Sequence, residues 1–215
     1  MKILIADDHG IVREGLKSLL SMQSDMEVVG EAEDGRIAVQ LTKEVCPDIV
    51  IMDISMPNLN GVEAVSEILQ YKPDIKIIIL SMFTDKNIVK NSLKAGASGY
   101  VLKSYLFDEL LKALEAVKAN ECYLSPRIAG VVINDYVNQK SADKKKESIK
   151  LTARERQILQ LIAEGKTVKE IAMIIHVSPK TADANRRKIM TKLELFNIAE
   201  LTKYAIREGL TSLDF

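Results

Sequence analysis

The stretch Ile49-Val50-Ile51-Met52-Asp53-Ile54-Ser55-Met56-Pro57 decides the fold. Its first four residues are apolar and mostly β-branched, lie between turn-forming Pro47-Asp48 and the acidic Asp53, and read as a short strand buried on both faces. Strands of that kind belong to the middle of parallel sheets, whose sites lie beyond the carboxyl ends of the strands. Asp53 therefore stands where chemistry is expected. Working outward, Ile3-Leu4-Ile5-Ala6 stops in Asp7-Asp8, the run Ile75 to Leu80 ends in Ser81, and Tyr100-Val101-Leu102 delivers Lys103. One rim is thus predicted to gather three carboxylates, a hydroxyl and an amine.

Carboxylates packed together repel and raise one another's pKa, and a hard divalent cation relieves that repulsion. Mg²⁺ takes oxygen ligands, keeps several waters and is usually held by one or two carboxylates and a phosphoryl group, so Asp8 and Asp53 are candidate ligands. A carboxylate is also a competent nucleophile toward phosphorus, and phosphoryl transfer needs mainly positioning and charge neutralisation. Asp53 is the predicted acceptor, with Ser81 and Lys103 as partners of the phosphoryl oxygens.

The formal net charge of zero hides an asymmetry. Residues 1–125 carry 13 Lys and Arg against 19 Asp and Glu, residues 126–149 carry 5 against 3, and residues 150–215 carry 12 against 8. An acidic front half joined to a basic tail suggests an anion-binding module attached to the acidic rim. No run of about 18 apolar residues is present and the chain enters a strand at once, so no membrane partner and no signal peptide is expected. Cys46 and Cys122 lack metal-ligand spacing and read as reduced thiols, which predicts a cytoplasmic protein.

At 215 residues the chain is long enough for two small domains. Five strand-helix units over residues 1–121 predict an α/β, (βα)5 doubly wound parallel sheet. Residues 122–149 read as a linker, with a short amphipathic helix from Ile128 to Val137 and a polar stretch containing Lys144-Lys145-Lys146. Residues 150–215 are helical by pattern: Thr152 with Glu155 is a capping box, Ser178-Pro179 an N-cap followed by proline, Asn197 with Glu200 a weaker box, and Gly165 and Gly209 are stops. A short helix from Val168 to Ile175, the turn His176-Val177-Ser178 and a longer helix to Leu193 make a helix-turn-helix. On the longer helix Ala182, Ile189 and Leu193 should face inward, with Asn185 near that edge, while Lys180, Asp183, Ala184, Arg187 and Lys188 project outward. Arg187 and Asp183 suit base edges; Lys180, Thr181, Arg186, Lys188 and Lys192 suit phosphates.

The residues quoted at the rim, together with Gly61 and the run Gly99-Tyr100-Val101-Leu102-Lys103-Ser104, make residues 1 to about 120 resemble a two-component receiver domain. Leu151-Thr152-Ala153-Arg154-Glu155-Arg156, Glu164-Gly165-Lys166-Thr167, Lys169-Glu170-Ile171-Ala172, Val177-Ser178-Pro179-Lys180-Thr181 and Arg186 to Leu193 make the remainder resemble the LuxR-type output domain of NarL/FixJ-family response regulators, an all-α four-helix module. Ala182 and Asn185 depart from the family, which often has Val and His there. The resemblance implies Mg²⁺ ligation by Asp8, Asp53 and the Ser55 carbonyl, with Asp7 acting through water. It also implies phosphorylation of Asp53 by a sensor histidine kinase and a Ser81/Tyr100 switch pair acting on the surface of the fourth helix, fifth strand and fifth helix. Homodimerisation on promoter DNA follows from it, with RNA polymerase as a further partner and no catalysis beyond the phosphoacceptor site. Three other readings are open at this point. A haloacid-dehalogenase-like phosphatase would want an acid where Ser55 stands, a nucleotide-binding domain would want a glycine-rich loop after the first strand, and the helical tail of a receiver could bind protein or RNA.

Overall fold

The computed structural model describes residues 1–139 and 151–211, so the lysine run at 144–146 lies outside the described residues. Five strands, β1 (Lys2–Ala6), β2 (Glu27–Ala32), β3 (Ile49–Asp53), β4 (Lys76–Ser81) and β5 (Gly99–Leu102), alternate with helices α1 (Gly10–Ser21), α2 (Gly35–Val45), α3 (Gly61–Tyr71), α4 (Lys86–Lys94) and α5 (Leu106–Lys118). All pairings are parallel, in the order β2-β1-β3-β4-β5.

The apolar runs are continuous because both faces of each central strand are covered. Leu4, Val50, Met52, Ile77 and Ile79 point to a core shared with Ala38, Ala64, Val65 and Ile88 of α2, α3 and α4. Ile3, Ile5, Ile49, Ile51, Ile78 and Leu80 point the other way, against Leu16 and Leu20 of α1 and Leu110, Ala113 and Leu114 of α5. Strand order reverses between β1 and β3, and the crevice that a doubly wound sheet opens at such a reversal lies beside Asp53.

One strand was not foreseen. Residues Tyr123–Leu124 form β6, parallel to β5, with the Ser125 amide donating to the Tyr100 carbonyl at 2.9 Å. After it, α6 (Pro126–Gln139) packs Ile128 into the α2/α3/α4 core, and Asp135 faces Lys86 and Lys90 of α4 at 4.0 and 3.7 Å. Within the stretch expected as a linker with a short helix, Tyr123–Leu124 thus cover the β5 edge, where an unpaired row of backbone donors and acceptors would otherwise lie open. Two residues with no alternation are too short a run to read as a strand.

The C-terminal helices are α7 (Ala153–Ala163), α8 (Val168–Ile174), α9 (Pro179–Leu193) and α10 (Ile198–Arg207), around Ile158, Leu161, Ile171, Ala182, Ile189, Leu201 and Ala205. Thr152 and Glu155 form the expected reciprocal box, Ser178 accepts from the Thr181 amide and Asn197 from the Glu200 amide, while Thr167 and Glu170 add a second reciprocal box. No helix among the described residues is long and apolar enough to cross a membrane.

Candidate functional site

Asp53 closes β3 with its side chain only 4% exposed, and its Oδ1 accepts from the Ile54 amide at 2.8 Å. The chain then turns tightly: the Met56 amide donates to the Ile54 carbonyl, and so does the Gly61 amide that opens α3. A Cβ on Gly61 would lie 1.9 Å from the Asp53 carbonyl oxygen, so only glycine lets α3 start this close to the acceptor strand.

Asp7 is fully buried at the end of β1, and the Lys103 ammonium lies 2.7 Å from its Oδ2 and 3.0 Å from Asp53 Oδ2. These are ion-pair contacts without directed hydrogen bonds: Asp7 Oδ2, Asp8 Oδ1 and Asp53 Oδ2 are all buried with no such bond. Ligand atoms of Asp7, Asp8, His9 and Asp53 fall within 4.8 Å of one another. Converging carboxylate oxygens that lack directed donors are what an oxygen-seeking Mg²⁺ would use, so the donor set fits that ion. Burial, opposed by Lys103 and reinforced by Asp7, pushes the Asp53 carboxyl up to about 6. It is still largely ionised at neutral pH. The Lys103 ammonium is penalised by burial, but Asp53 and Asp7 more than compensate and hold its pKa above the usual range. His9 brings Nδ1 to 2.7 Å from Asp8 Oδ1 and 3.2 Å from Asp7 Oδ1. Arg13, which the sequence did not single out, donates to the Asp7 carbonyl at 2.7 Å.

Ser81 and Tyr100 are both buried. The Tyr100 hydroxyl donates to the Phe83 carbonyl at 2.9 Å, and the Phe83 amide donates to Ser81 Oγ at 3.0 Å, so Phe83 links the pair. Burial pushes the Tyr100 phenol up to about 12.

On α9, Lys180, Thr181, Ala184, Arg187 and Lys188 are exposed, and Ala182, Ile189 and Leu193 are buried. The charges are not free, however. Asp183 holds Arg186 at 2.9 Å and Arg187 at 2.6 Å, and Asn185 donates to the Thr181 carbonyl at 3.0 Å. Lys192 and Lys188 reach Glu155 at 2.7 and 3.4 Å. Glu155 is 5% exposed; burial alone would raise its pKa, but Lys192, the Thr152 amide and Lys188 bring it down to about 2. Sequence reading recognised Glu155 as a cap and missed it as the anchor of α9. The signal was an acid in α7 with no partner on its own helix.

Comparison with known proteins accounts for both halves. The response regulator receiver domain family matches residues 3–115, and the luxR family of bacterial regulatory proteins matches residues 150–205. The chain belongs to the NarL/FixJ family of response regulators. The oxygen regulatory protein NreC of Staphylococcus haemolyticus is 42% identical over 219 residues, 100% of each chain. RcsB of Salmonella enterica serovar Typhimurium, solved on the rprA promoter with the phosphomimetic BeF3⁻, is 29% identical with a TM-score of 0.62, covering 95% of this chain and 98% of that one. A structure of two RcsB dimers on two parallel DNAs is 29% identical with a TM-score of 0.58, covering 95% and 96%. In this response regulator the rim lies within the receiver match, and α8 and α9 form the helix-turn-helix within the luxR-family match.

Proposed function

We propose that this response regulator takes a phosphoryl group onto Asp53 from a sensor histidine kinase, dimerises, and binds promoter DNA through α9. The observation that carries the reading is the joining, in one chain, of the Asp53/Asp7/Asp8/Lys103 pocket to a helix-turn-helix whose cationic face is open. An Asp53 oxygen forms the new O–P bond as the N–P bond to the donor imidazole breaks. Asp8, Asp53 and the Ser55 carbonyl would hold Mg²⁺, with Asp7 acting through water, and the ion would supply charge neutralisation to the transferring group. Lys103 moves from balancing Asp7 and Asp53 to a phosphoryl oxygen, and Ser81 supplies a hydroxyl to another. The phosphatase reading is weaker because Ser55 offers no carboxylate in the place of a second acid. The work is regulatory rather than metabolic and takes place in the cytoplasm, with RNA polymerase the natural downstream partner of a promoter-bound dimer.

One helix-turn-helix reads too few base pairs to select a genomic site, so two copies spaced by about 10 base pairs are required. Leu201 and Ala205 of α10 close the output core, while Ile198 is 56% exposed and Ile206 half-buried, leaving an edge for a partner copy. Beryllofluoride with Mg²⁺ should convert a mainly monomeric chain into a dimer that covers two half-sites. Sedimentation and footprinting showing one oligomeric state and one operator affinity with and without it would contradict the proposal.

Readout can be dissected. Arg187→Ala and Asp183→Ala should each cost about 1–3 kcal/mol at one base position, Asp183 acting through Arg187, which it holds. Lys192→Ala should weaken all sequences alike and lower the salt slope by about one. Because Lys192 also pairs with Glu155, its thermal midpoint must be measured beside its DNA affinity. Equal losses by all three variants on specific and random duplexes would remove the base-reading assignment.

A further inference from the structure

The backbone on both sides of Lys103 is held by one hydroxyl from beyond the receiver match, which ends at residue 115. Lys103 leaves β5 through a single 3₁₀ turn, Lys103–Tyr105, before α5 begins at Leu106. On one side of the strand, β4 pairs Ser81 with Leu102. On the other side β6 stops early, its last paired residue Leu124 standing opposite Tyr100. Ser125 completes the rung. Fully buried, it donates its amide to the Tyr100 carbonyl at 2.9 Å and accepts the Leu102 amide on Oγ at 3.1 Å.

The same hydroxyl donates to Glu109 Oε2 on the first turn of α5. Leu102 precedes the Lys103 turn and Glu109 follows it, so Ser125 braces the turn at both ends. The brace is itself anchored. The Ser125 carbonyl accepts the Ile128 and Ala129 amides at 2.8 and 2.9 Å and so opens α6, whose Ile128 is buried in the α2/α3/α4 core. A carboxylate acceptor polarises the O–H bond and makes its oxygen a stronger acceptor for the Leu102 amide. Removing the hydroxyl would leave a buried N–H at the strand end with no acceptor.

What rests on this backbone is the amine. Lys103 Nζ lies 2.7 Å from Asp7 Oδ2 and 3.0 Å from Asp53 Oδ2, with the side chain 11% exposed. Passing from those carboxylates to a phosphoryl oxygen beside them requires a fixed root, because charge stabilisation of a transferring group depends steeply on placement. The hydrogen bonds of Ser125 reach β5, α5 and α6, whereas the expected metal ligands Asp8, Asp53 and Ser55 stand after β1 and at the end of β3. Resting on the assignment of Asp53 and Lys103 above, we propose that Ser125, supported by Glu109, is a positioning residue for Lys103. It sets the strand-to-helix turn that aims the amine, and it acts on phosphoryl binding and not on metal binding.

The test uses the full chain in two titrations: Mg²⁺ alone by calorimetry, and beryllofluoride at saturating Mg²⁺ by fluorine NMR. Ser125→Ala should raise the half-saturating beryllofluoride by about five-fold or more and leave the Mg²⁺ affinity within about two-fold of wild type. In a Lys103→Ala background the same substitution should cost nothing further, since no amine is left to aim. Glu109→Ala keeps the hydroxyl but removes its acceptor, and should show the same split at smaller amplitude. Glu109→Gln keeps an acceptor and should stay near wild type, and this pair decides the question if Ser125→Ala does not fold. Unchanged beryllofluoride uptake in Ser125→Ala, an equal weakening of Mg²⁺, or an additive loss in the double variant overturns the positioning role alone. No beryllofluoride uptake by wild type overturns the assignment of Asp53 and the positioning role with it.

Discussion

Asp53→Asn is expected to abolish phosphoryl and beryllofluoride uptake and, in metal-free buffer at pH 7.5, to make the receiver more stable than wild type. The first effect follows from removing the nucleophile, since no other carboxylate at the rim is flanked by both Lys103 and the Ser81 strand end. The second follows from linkage. The fold raises the Asp53 carboxyl from 3.8 to about 6, chiefly by burial, so folding favours the protonated form. That contribution is fully present below about pH 4 and is lost as pH rises through about 6. Wild type therefore gives up on the order of 2–3 kcal/mol across this window, and the amide does not. The receiver midpoint of Asp53→Asn should exceed that of wild type by several degrees at pH 7.5 and converge with it near pH 4. Mg²⁺ should close the gap by stabilising wild type. Scanning calorimetry with chelator and with Mg²⁺ at both pH values measures this, and a variant less stable than wild type at pH 7.5 would refute the strained-pocket account. Intact mass after acetyl phosphate treatment tests the first effect, and a phosphorylated Asp53→Asn would refute the acceptor assignment.

Glu155→Ala should unfold the output domain more readily than any single change on the exposed face of α9. The substitution removes half of the capping box that starts α7 and the buried carboxylate that anchors Lys188 and Lys192. Cap loss contributes about 1 kcal/mol and the ion pairs about as much again, discounted because Lys188 is 69% exposed. The pH dependence has the opposite sign to that of Asp53. The folded pKa of Glu155 lies at about 2, below the usual 4.5, so its contribution is present above about 4.5 and lost as pH falls toward 2. Wild type and Glu155→Ala should therefore differ most at neutral pH and converge in acid. Hydrogen exchange of α7 and α9 amides at pH 7 checks this, and protection lost in α7 but unchanged in α9 would show that Glu155 is a cap and nothing more.

Legibility followed the range of each interaction. Asp53, Asp7-Asp8, Ser81 and Lys103 could be placed at one rim from sequence because each ends an apolar run, and strand ends of a parallel sheet share an edge. The helix-turn-helix was legible for a similar reason: Thr152, Ser178 and Asn197 cap within three residues, and the buried stripe of Ala182, Ile189 and Leu193 repeats with the helix. Strand β6 was not legible, because two residues carry no period, and its reason to exist is the open edge of β5.

Local sequence thus determined the elements other than β6, the rim and the class of chemistry, since propensity, capping and period-two or 3.6 burial are all written within a few residues. Tertiary structure alone decided which charges are free. Glu155 and Lys192 stand 37 residues apart, Glu63 and Arg156 93, and Asn60 and Gln160 100. Gln157, Gln160 and Arg156 look like a solvated polar face of α7 until another domain covers it, because burying a polar side chain is tolerated only where its partner has been brought to it by the fold.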